Sequence, residues 1–420
     1  MSYIDKLLQG QEVQWKILGE VFETRNGYTP SKSNSNFWEG GTIPWYRMED
    51  LRLNGGILRE ARQYITPEAI KGKGLFQAGS IIMATTATIG EHALLTNPAL
   101  ANQQFTNFCL RENYVDALLP MFVYYYFFKI DEWCKANVNV SSFPSVDIVQ
   151  LKKIAFPIPP LSVQEKIVEI LDKFTTLEAE LEAELEAELD CRKRQYAYYR
   201  THLLDFSDEM LKSTDWGNLV QWKSLGEVGT FVRGTGLQKK DLTDRGVSAI
   251  HYGQIYTHYG LYTSETKSCV SEDFAKKARK ANIGDLVIAT TSENDEDVCK
   301  AVAWLGKTPV VVSSDACFYR HSMNSKYVAY FFASEHFQKQ KTKHITGTKV
   351  RRVNATDLAK ILIPVPPMSV QEKIVKILDK FDILTNSITE GLPKEIELRR
   401  KQYEYYREQL LSFPGHKTTA

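Results

Sequence analysis

Ser162–Phe174 reads SVQEKIVEILDKF and Ser369–Phe381 reads SVQEKIVKILDKF, one segment written twice at an offset of 207 residues. The same offset joins Val13-Gln14-Trp15-Lys16 to Val220-Gln221-Trp222-Lys223, and Arg194–Arg200 (RQYAYYR) to Lys401–Arg407 (KQYEYYR). Two such periods nearly exhaust the 420 residues, so the chain is a tandem duplication with pseudo-two-fold potential. Two similar halves suit a target or partners arranged twice.

Each copy opens on prolines, Phe156-Pro157-Ile158-Pro159-Pro160 and Ile363-Pro364-Val365-Pro366-Pro367, which force an extended lead-in. Ser162-Val-Gln-Glu165 and Ser369-Val-Gln-Glu372 then fit a capping box, with each serine as N-cap. Apolar residues follow at helical spacing: Ile167, Ile170, Leu171, Phe174, Leu177, Leu181, Leu185 and Leu189. Unbroken to Phe206, that helix spans ~68 Å. The second copy offers Ile374, Ile377, Leu378, Phe381, Leu384 and Ile388, so the two stripes are expected to pack on each other, antiparallel. Gly391-Leu392-Pro393 predicts a break in the second helix, with Pro393 in the first turn of a restart.

Residues 13–155 and 220–362 read as mixed α and β, with strand-like runs at Ser80–Ala84 and Asp285–Ala289. A helix carrying Tyr125 and Tyr126 corresponds to one carrying Tyr330 and Phe331, at an offset of 205. The two portions thus share a fold and differ in surface.

Composition narrows function chiefly by what it excludes. Apolar residues make up 43% and charged residues 25%, ordinary for a globular chain, and a net charge of +1 gives no overall field for nucleic acid. Six cysteines form no C-x-x-C pair and the histidines no H-x-x-x-H, against a structural zinc site or a disulfide framework. The first residues lack a signal-peptide core, and the longest apolar run, Ala117–Phe128, is too short to span a bilayer. A soluble, cytoplasmic protein is the expectation. Gly306-Lys307-Thr308 suggests a P-loop until Ala301 is found where its first glycine belongs. Pro159-Pro160 lacks the Asn or Asp of an amino-methyltransferase motif, and no G-x-S-x-G occurs. No catalytic residues and no metal ligands are assigned.

Several segments fit nucleic acid instead. Lys339–Arg352 carries six Lys or Arg and no acid, and Lys349, Arg351 and Arg352 follow Thr346-Gly347-Thr348. The cluster Lys276–Lys280 reads as a solvated helix face. The equivalent of the basic loop in the first half, around Ser141, Ser142, Phe143 and Pro144, is not basic. Trp45, Tyr46 and Arg47 align with Tyr252, Gly253 and Gln254, followed by Tyr256 and His258. Arg and Gln are types that bond guanine and adenine bidentately. A strand with one buried aromatic face explains the same aromatic residues equally well. Hydroxyl turns at Thr85, Thr86 and Thr88 and at Thr290, Thr291 and Ser292 follow the strand-like runs at matched positions. Leu177–Glu188 repeats Leu-Glu-Ala-Glu three times, either a solvated acidic helix or a ruler in which each unit adds ~6 Å. Its glutamates would repel phosphate.

Together the Pro-x-Pro-Pro-x-Ser-x-Gln-Glu lead-in, the duplicated helices, the Leu-Glu-Ala-Glu iteration and the Gln-Tyr-x-Tyr-Tyr-Arg motif resemble the DNA-specificity subunit of type I restriction–modification enzymes. The iteration resembles the tetrapeptide repeats of the IC subclass. The resemblance implies an α+β chain of two mixed α/β target recognition domains joined by two long antiparallel coiled-coil helices. Domain bounds would be 1–157 and 207–364 for recognition, with helices 158–206 and 365–420 as spacers. It implies a non-catalytic subunit reading a bipartite, asymmetric double-stranded DNA target. Two modification (adenine methyltransferase) subunits and the restriction subunits would join it. S-adenosylmethionine, ATP and Mg would belong to those partners, and none to this chain. A non-catalytic scaffold pairing two ligand-binding domains is the competing reading.

Overall fold

The computed structural model describes residues 3–139, 144–207, 209, 219–387 and 389–415. Ser141, Ser142 and Ile388 therefore lie outside the described residues. The chain divides into two compact units, Met1–Ala183 with Glu397–Ala420, and Glu184–Ile396.

In the first unit a five-stranded sheet runs in the order Phe22–Asn26, Phe105–Leu110, Ile81–Ala84, His92–Leu95, Ile57–Leu58. Its pairs are antiparallel except the last. Strand alternation sends Ile81 and Met83 to one face, where helix Pro120–Ala136 covers them with Phe122, Val123 and Phe127. Ile82 and Ala84 point to the other face, into a core shared with the small sheet of Tyr64–Ile65, Ile43–Tyr46 and Leu100–Ala101. The second unit repeats this plan. Its sheet order is Gly229–Arg233, Ala316–His321, Leu286–Ala289, Ala301–Trp304, Tyr262–Thr263. Leu286 and Ile288 face helix Ser325–Phe332, and Val287 and Ala289 face the opposite core. No helix among the described residues is long and apolar enough to cross a membrane.

The duplicated motifs turn out to be the seams between each sheet domain and its helix. Val-Gln-Trp-Lys forms an edge ribbon with the proline segment: Trp15 lies opposite Pro157, and Trp222 opposite Pro364. Proline is tolerated in such a two-stranded ribbon because only one of its edges needs the missing N–H.

The expected capping boxes are not used. The first helical bonds run from Val163 and Gln164 N–H to the carbonyl of Pro160, and from Val370 and Gln371 N–H to that of Pro367. Proline supplies the cap carbonyl, and the helix starting at Met368 has no side-chain cap. The serines fall two positions too late. The buried residue of the motif is the glutamine instead. Gln164 accepts from Leu119 N–H at 2.9 Å and donates to the carbonyls of Ala117 at 2.8 Å and Pro159 at 2.7 Å. Gln371 accepts from Asn324 N–H at 2.9 Å and donates to Pro366 O at 2.8 Å. A second pin recurs: Tyr125 donates to Asp172 at 2.6 Å, and Tyr330 to Asp379 at 2.7 Å. The Tyr125–Tyr330 correspondence is thus a shared contact, as the sequence suggested.

Leu161–Leu203 is one 43-residue helix, ~65 Å long. The other copy is interrupted as expected, Met368–Asn386 followed by Gly391–Leu410, with Gly391 at φ +80°. The stripes do not pair with each other from their starts. Val163, Ile167 and Leu171 are buried in the first unit's core, and Val370, Ile374 and Leu378 in the second's. Each domain's own sheet and helix layer consumes those first turns. The helical partner comes from the far end of the opposite repeat. In the first unit Phe174 meets Tyr406, Thr175 bonds Tyr403 at 2.7 Å and Glu182 pairs with Arg400. In the second, Phe381 stacks on Tyr196 and Tyr199, and Tyr196 donates to Asp382 at 3.4 Å. Partner numbers fall along one helix as they rise along the other, so both pairings are antiparallel. Leu177, expected in the stripe, is 59% exposed, whereas Leu185 is buried.

Two outcomes follow from these seams. Gln164→Leu keeps the size but strands a buried N–H and two carbonyls, and should cost at least about 2 kcal/mol. Denaturant unfolding of the full chain measures this, and a change below about 0.5 kcal/mol would contradict it. His321 ends the sheet strand Ala316–His321, and burial depresses its pKa to about 4. The folded state then binds fewer protons than the unfolded one between pH 6.5 and 4. Stability contributed by this residue is complete above 6.5 and falls by up to ~1.4 kcal/mol per pH unit toward 4. His321→Asn should flatten that slope relative to the parent chain, and an unchanged difference across the window would contradict the assignment.

Candidate nucleic-acid interface

Beyond strand Leu286–Ala289 the second unit builds a two-stranded ribbon. Thr290 donates its hydroxyl to Asp315 O at 3.0 Å, which turns the chain outward. Thr291–Ser292 then pairs antiparallel with Arg351–Arg352, Thr291 opposite Arg352 and Ser292 opposite Arg351. Tyr256, half-buried, supports the ribbon by donating to Thr291 O at 2.5 Å, and burial pushes its phenol pKa up. Reciprocal backbone bonds between Thr346 and Arg352 close the loop. Gly347 at its tip has φ +89°, and a Cβ there would lie 2.2 Å from Val350 O, so only glycine makes this turn. Thr346, Thr348, Lys349 and Arg352 are exposed. The Arg351 guanidinium is held by Asp295 at 2.8 Å and by Gly347 O at 2.6 Å. The structure therefore brings Thr291, Ser292, Lys349, Arg351 and Arg352 together over Tyr256, although the sequence places them some sixty residues apart.

Other aligned residues are occupied. Gln254 accepts from His251 N–H at 3.2 Å and donates to Ser268 at 2.7 Å, so its amide serves the cap of helix Tyr252–Thr257. Tyr252 is half-buried, its N–H on Ser313 Oγ at 2.8 Å, and His258 is exposed past the helix end.

The first unit makes the same junction with different side chains. Thr86 bridges to Ser145, Ala87 N–H donates to Pro144 O at 3.1 Å, and Val146 N–H to Thr85 O at 2.9 Å. Thr85 is buried against the Thr106 hydroxyl at 2.8 Å, whereas Thr86 and Thr88 are half-buried. Trp45 and Tyr46 belong to the core, 2% and 0% exposed, and burial raises the Tyr46 phenol pKa to about 12. Arg47 opens helix Met48–Asn54, its N–H on Asp50 Oδ2 at 2.7 Å and its side chain 40% exposed beside Glu49.

Two groups outside the sequence motifs also join these sites. Arg52 and Arg62 lie near Arg47, paired with Glu91 at 3.3 Å and Glu49 at 3.4 Å, and Glu91 sits in the hairpin of Thr86 and Thr88. They supply cations to a half whose loop lacks them. Lys341, 1% exposed, bonds the loop that holds Arg351. Burial lowers its pKa, an effect that neighbouring acids oppose. The sequence signal was the acidic run Glu293–Asp297, which has no counterpart in the first half.

Residues 11–190 and 219–398 match the family described as the type I restriction modification DNA specificity domain. The chain is 38% identical over 400 residues to the type I restriction enzyme EcoprrI specificity subunit of Escherichia coli, covering 93% of this chain and 92% of that protein. It is 31% identical over 448 residues to the EcoR124I/EcoR124II specificity subunit of the same species, covering 100% and 99%. Among solved structures, a chain from a study of assembly and conformational transition in the type I R-M system superposes with a TM-score of 0.69. Identity there is 14%, over 96% of this chain and 98% of that one. The HsdS subunit from Thermoanaerobacter tengcongensis gives 0.54 at 15% identity, covering 96% and 98%.

Proposed function

The chain belongs to the type I restriction–modification DNA specificity family, and from that premise we propose that each unit reads one half of a bipartite double-stranded DNA target. One observation carries the reading: the same junction of hydroxyl turn and loop is built twice on one sheet plan, with different side chains at its tip. A two-stranded ribbon of this width enters the major groove. In the second unit Lys349 and Arg352 meet phosphate while Arg351 faces a base edge. In the first, Arg47, Thr86 and Thr88 present hydroxyls and a guanidinium, supported by Arg52 and Arg62. Dissimilar tips specify dissimilar half-sites, so the target is asymmetric.

The chain performs no chemistry of its own in this reading. It directs modification subunits, which carry S-adenosylmethionine, and restriction subunits, which carry ATP and Mg. A repeated exposed patch supports two copies of the modification partner. Tyr405 and Tyr406, 60% and 44% exposed, stand beside Ile170 and Phe174 around a cavity of about 300 Å³. Tyr198 and Tyr199, 56% and 40% exposed, recur at the same 207-residue offset, with Tyr199 stacked on Phe381 and Ile377 the sequence counterpart of Ile170. Apolar patches kept in water mark partner surfaces, and these two carry the same residue types while the ribbons do not. A scaffold for unrelated ligands gives no reason for that difference.

The Leu-Glu-Ala-Glu units set the spacer between half-sites. Deleting Leu177–Glu180 removes ~6 Å of helix, one to two base-pair steps. Sequencing modified adenines in cells carrying the deletion should reveal a spacer one or two base pairs shorter with both half-sites intact. Altered half-sites with an unchanged spacer would refute the ruler.

A further inference from the structure

The hairpin after the inner sheet strand differs between the units. Met83 faces His92 in the first, whereas Ile288 faces Ala301 in the second, across a longer connection. The longer connection includes Glu293-Asn294-Asp295-Glu296-Asp297, four acids in five residues beside a basic ribbon. By charge alone such a loop opposes phosphate, so its presence calls for a reason.

Lys341 supplies one. It ends helix Glu335–Lys341, and its Nζ donates to the carbonyls of Asp295 at 2.8 Å, Glu296 at 3.0 Å and Val298 at 2.9 Å. Three acceptors engage all three N–H groups of an ammonium. The lysine therefore grips the loop's backbone and leaves its carboxylates for other work. The Asp295 carboxylate takes Arg351 Nε, and Gly347 O takes Nη1, which fixes the guanidinium plane from two sides. A guanidinium held in one plane can discriminate a base, whereas a mobile one supplies only charge. In the first unit the corresponding helix end carries buried Cys134 and exposed Lys135, with no buried lysine and no acidic insertion. Insertion and lysine occur together in one copy of the duplication.

We infer that Lys341 is a positioning residue for DNA recognition by the second unit: it fixes the Asp295 loop and, through Asp295, the orientation of Arg351. The inference rests on the proposed role of the ribbon. The full chain, assembled with its methyltransferase partner, is presented with duplex DNA randomised at both half-sites, and methylated molecules are sequenced. Arg351→Ala, Asp295→Asn and Lys341→Met should each weaken base preference roughly tenfold at the same position of one half-site, leaving the other half-site intact. Asp295→Asn keeps size at a half-exposed site and tests the link to Arg351; if Lys341→Met fails to fold, Lys341→Gln, which keeps two of the three donors, takes its place in the same comparison and should shift the same position. If Arg351→Ala shifts the half-site while Asp295→Asn and Lys341→Met only lower methylation of all sequences alike, Lys341 is merely structural and the inference is overturned. If Arg351→Ala changes neither half-site, the ribbon's role in DNA recognition falls first, and the inference with it.

Discussion

A buried glutamine amide carries the architecture. Gln164 and Gln371, 0% and 2% exposed, tie the first turn of a repeated helix to the segment that leads into each domain's own helix. An amide offers one acceptor and two donors in a fixed plane, so it tolerates little relative movement, and losing it strands buried backbone groups. The Tyr125–Asp172 and Tyr330–Asp379 bonds add a second fixed point further along each helix. Two points on one rigid element define an orientation. With the seam so defined, the rest of each domain can vary in surface while its attachment stays the same.

That separation of seam from surface accounts for what the duplication kept and what it changed. The motifs Val-Gln-Trp-Lys, Ser-Val-Gln-Glu and Gln-Tyr-x-Tyr-Tyr-Arg all sit at seams or at the helix pairings, and they are nearly identical in both copies. The two hydroxyl turns share a backbone junction but not the side chains around it. One displays Arg351 locked by an acidic loop on a buried lysine, and the other displays threonines with arginines on a neighbouring helix. Recognition of two unlike half-sites is what such a molecule is suited to do. The chemistry would come from the other subunits of a type I restriction–modification complex.

Much of this was legible in the residues, for reasons that can be named. The 207-residue offset, the break at Gly391 and the Tyr125–Tyr330 correspondence depend on local pattern, and local pattern survives folding. Three things did not show. Ser162 and Ser369 match a capping box, but Pro160 and Pro367 offer their carbonyls two residues earlier, so the helix starts sooner. Trp45, Tyr46 and Gln254 have the chemistry of base readers, yet a small sheet buries the aromatics and a helix cap takes the amide. Lys341 lies in a run of basic residues and reads as one more surface cation. Only the fold reveals that it faces inward to three carbonyls more than forty positions away. Contacts of that separation leave no trace in spacing.

The central claim is that each unit reads its own half-site independently, on a seam common to both. Exchanging residues 220–362 for the equivalent portion of a relative, then sequencing modified adenines in host DNA, tests it directly. The account predicts one half-site replaced, with the other half-site and the spacer unchanged. A change in both half-sites, or in the spacer alone, would contradict it.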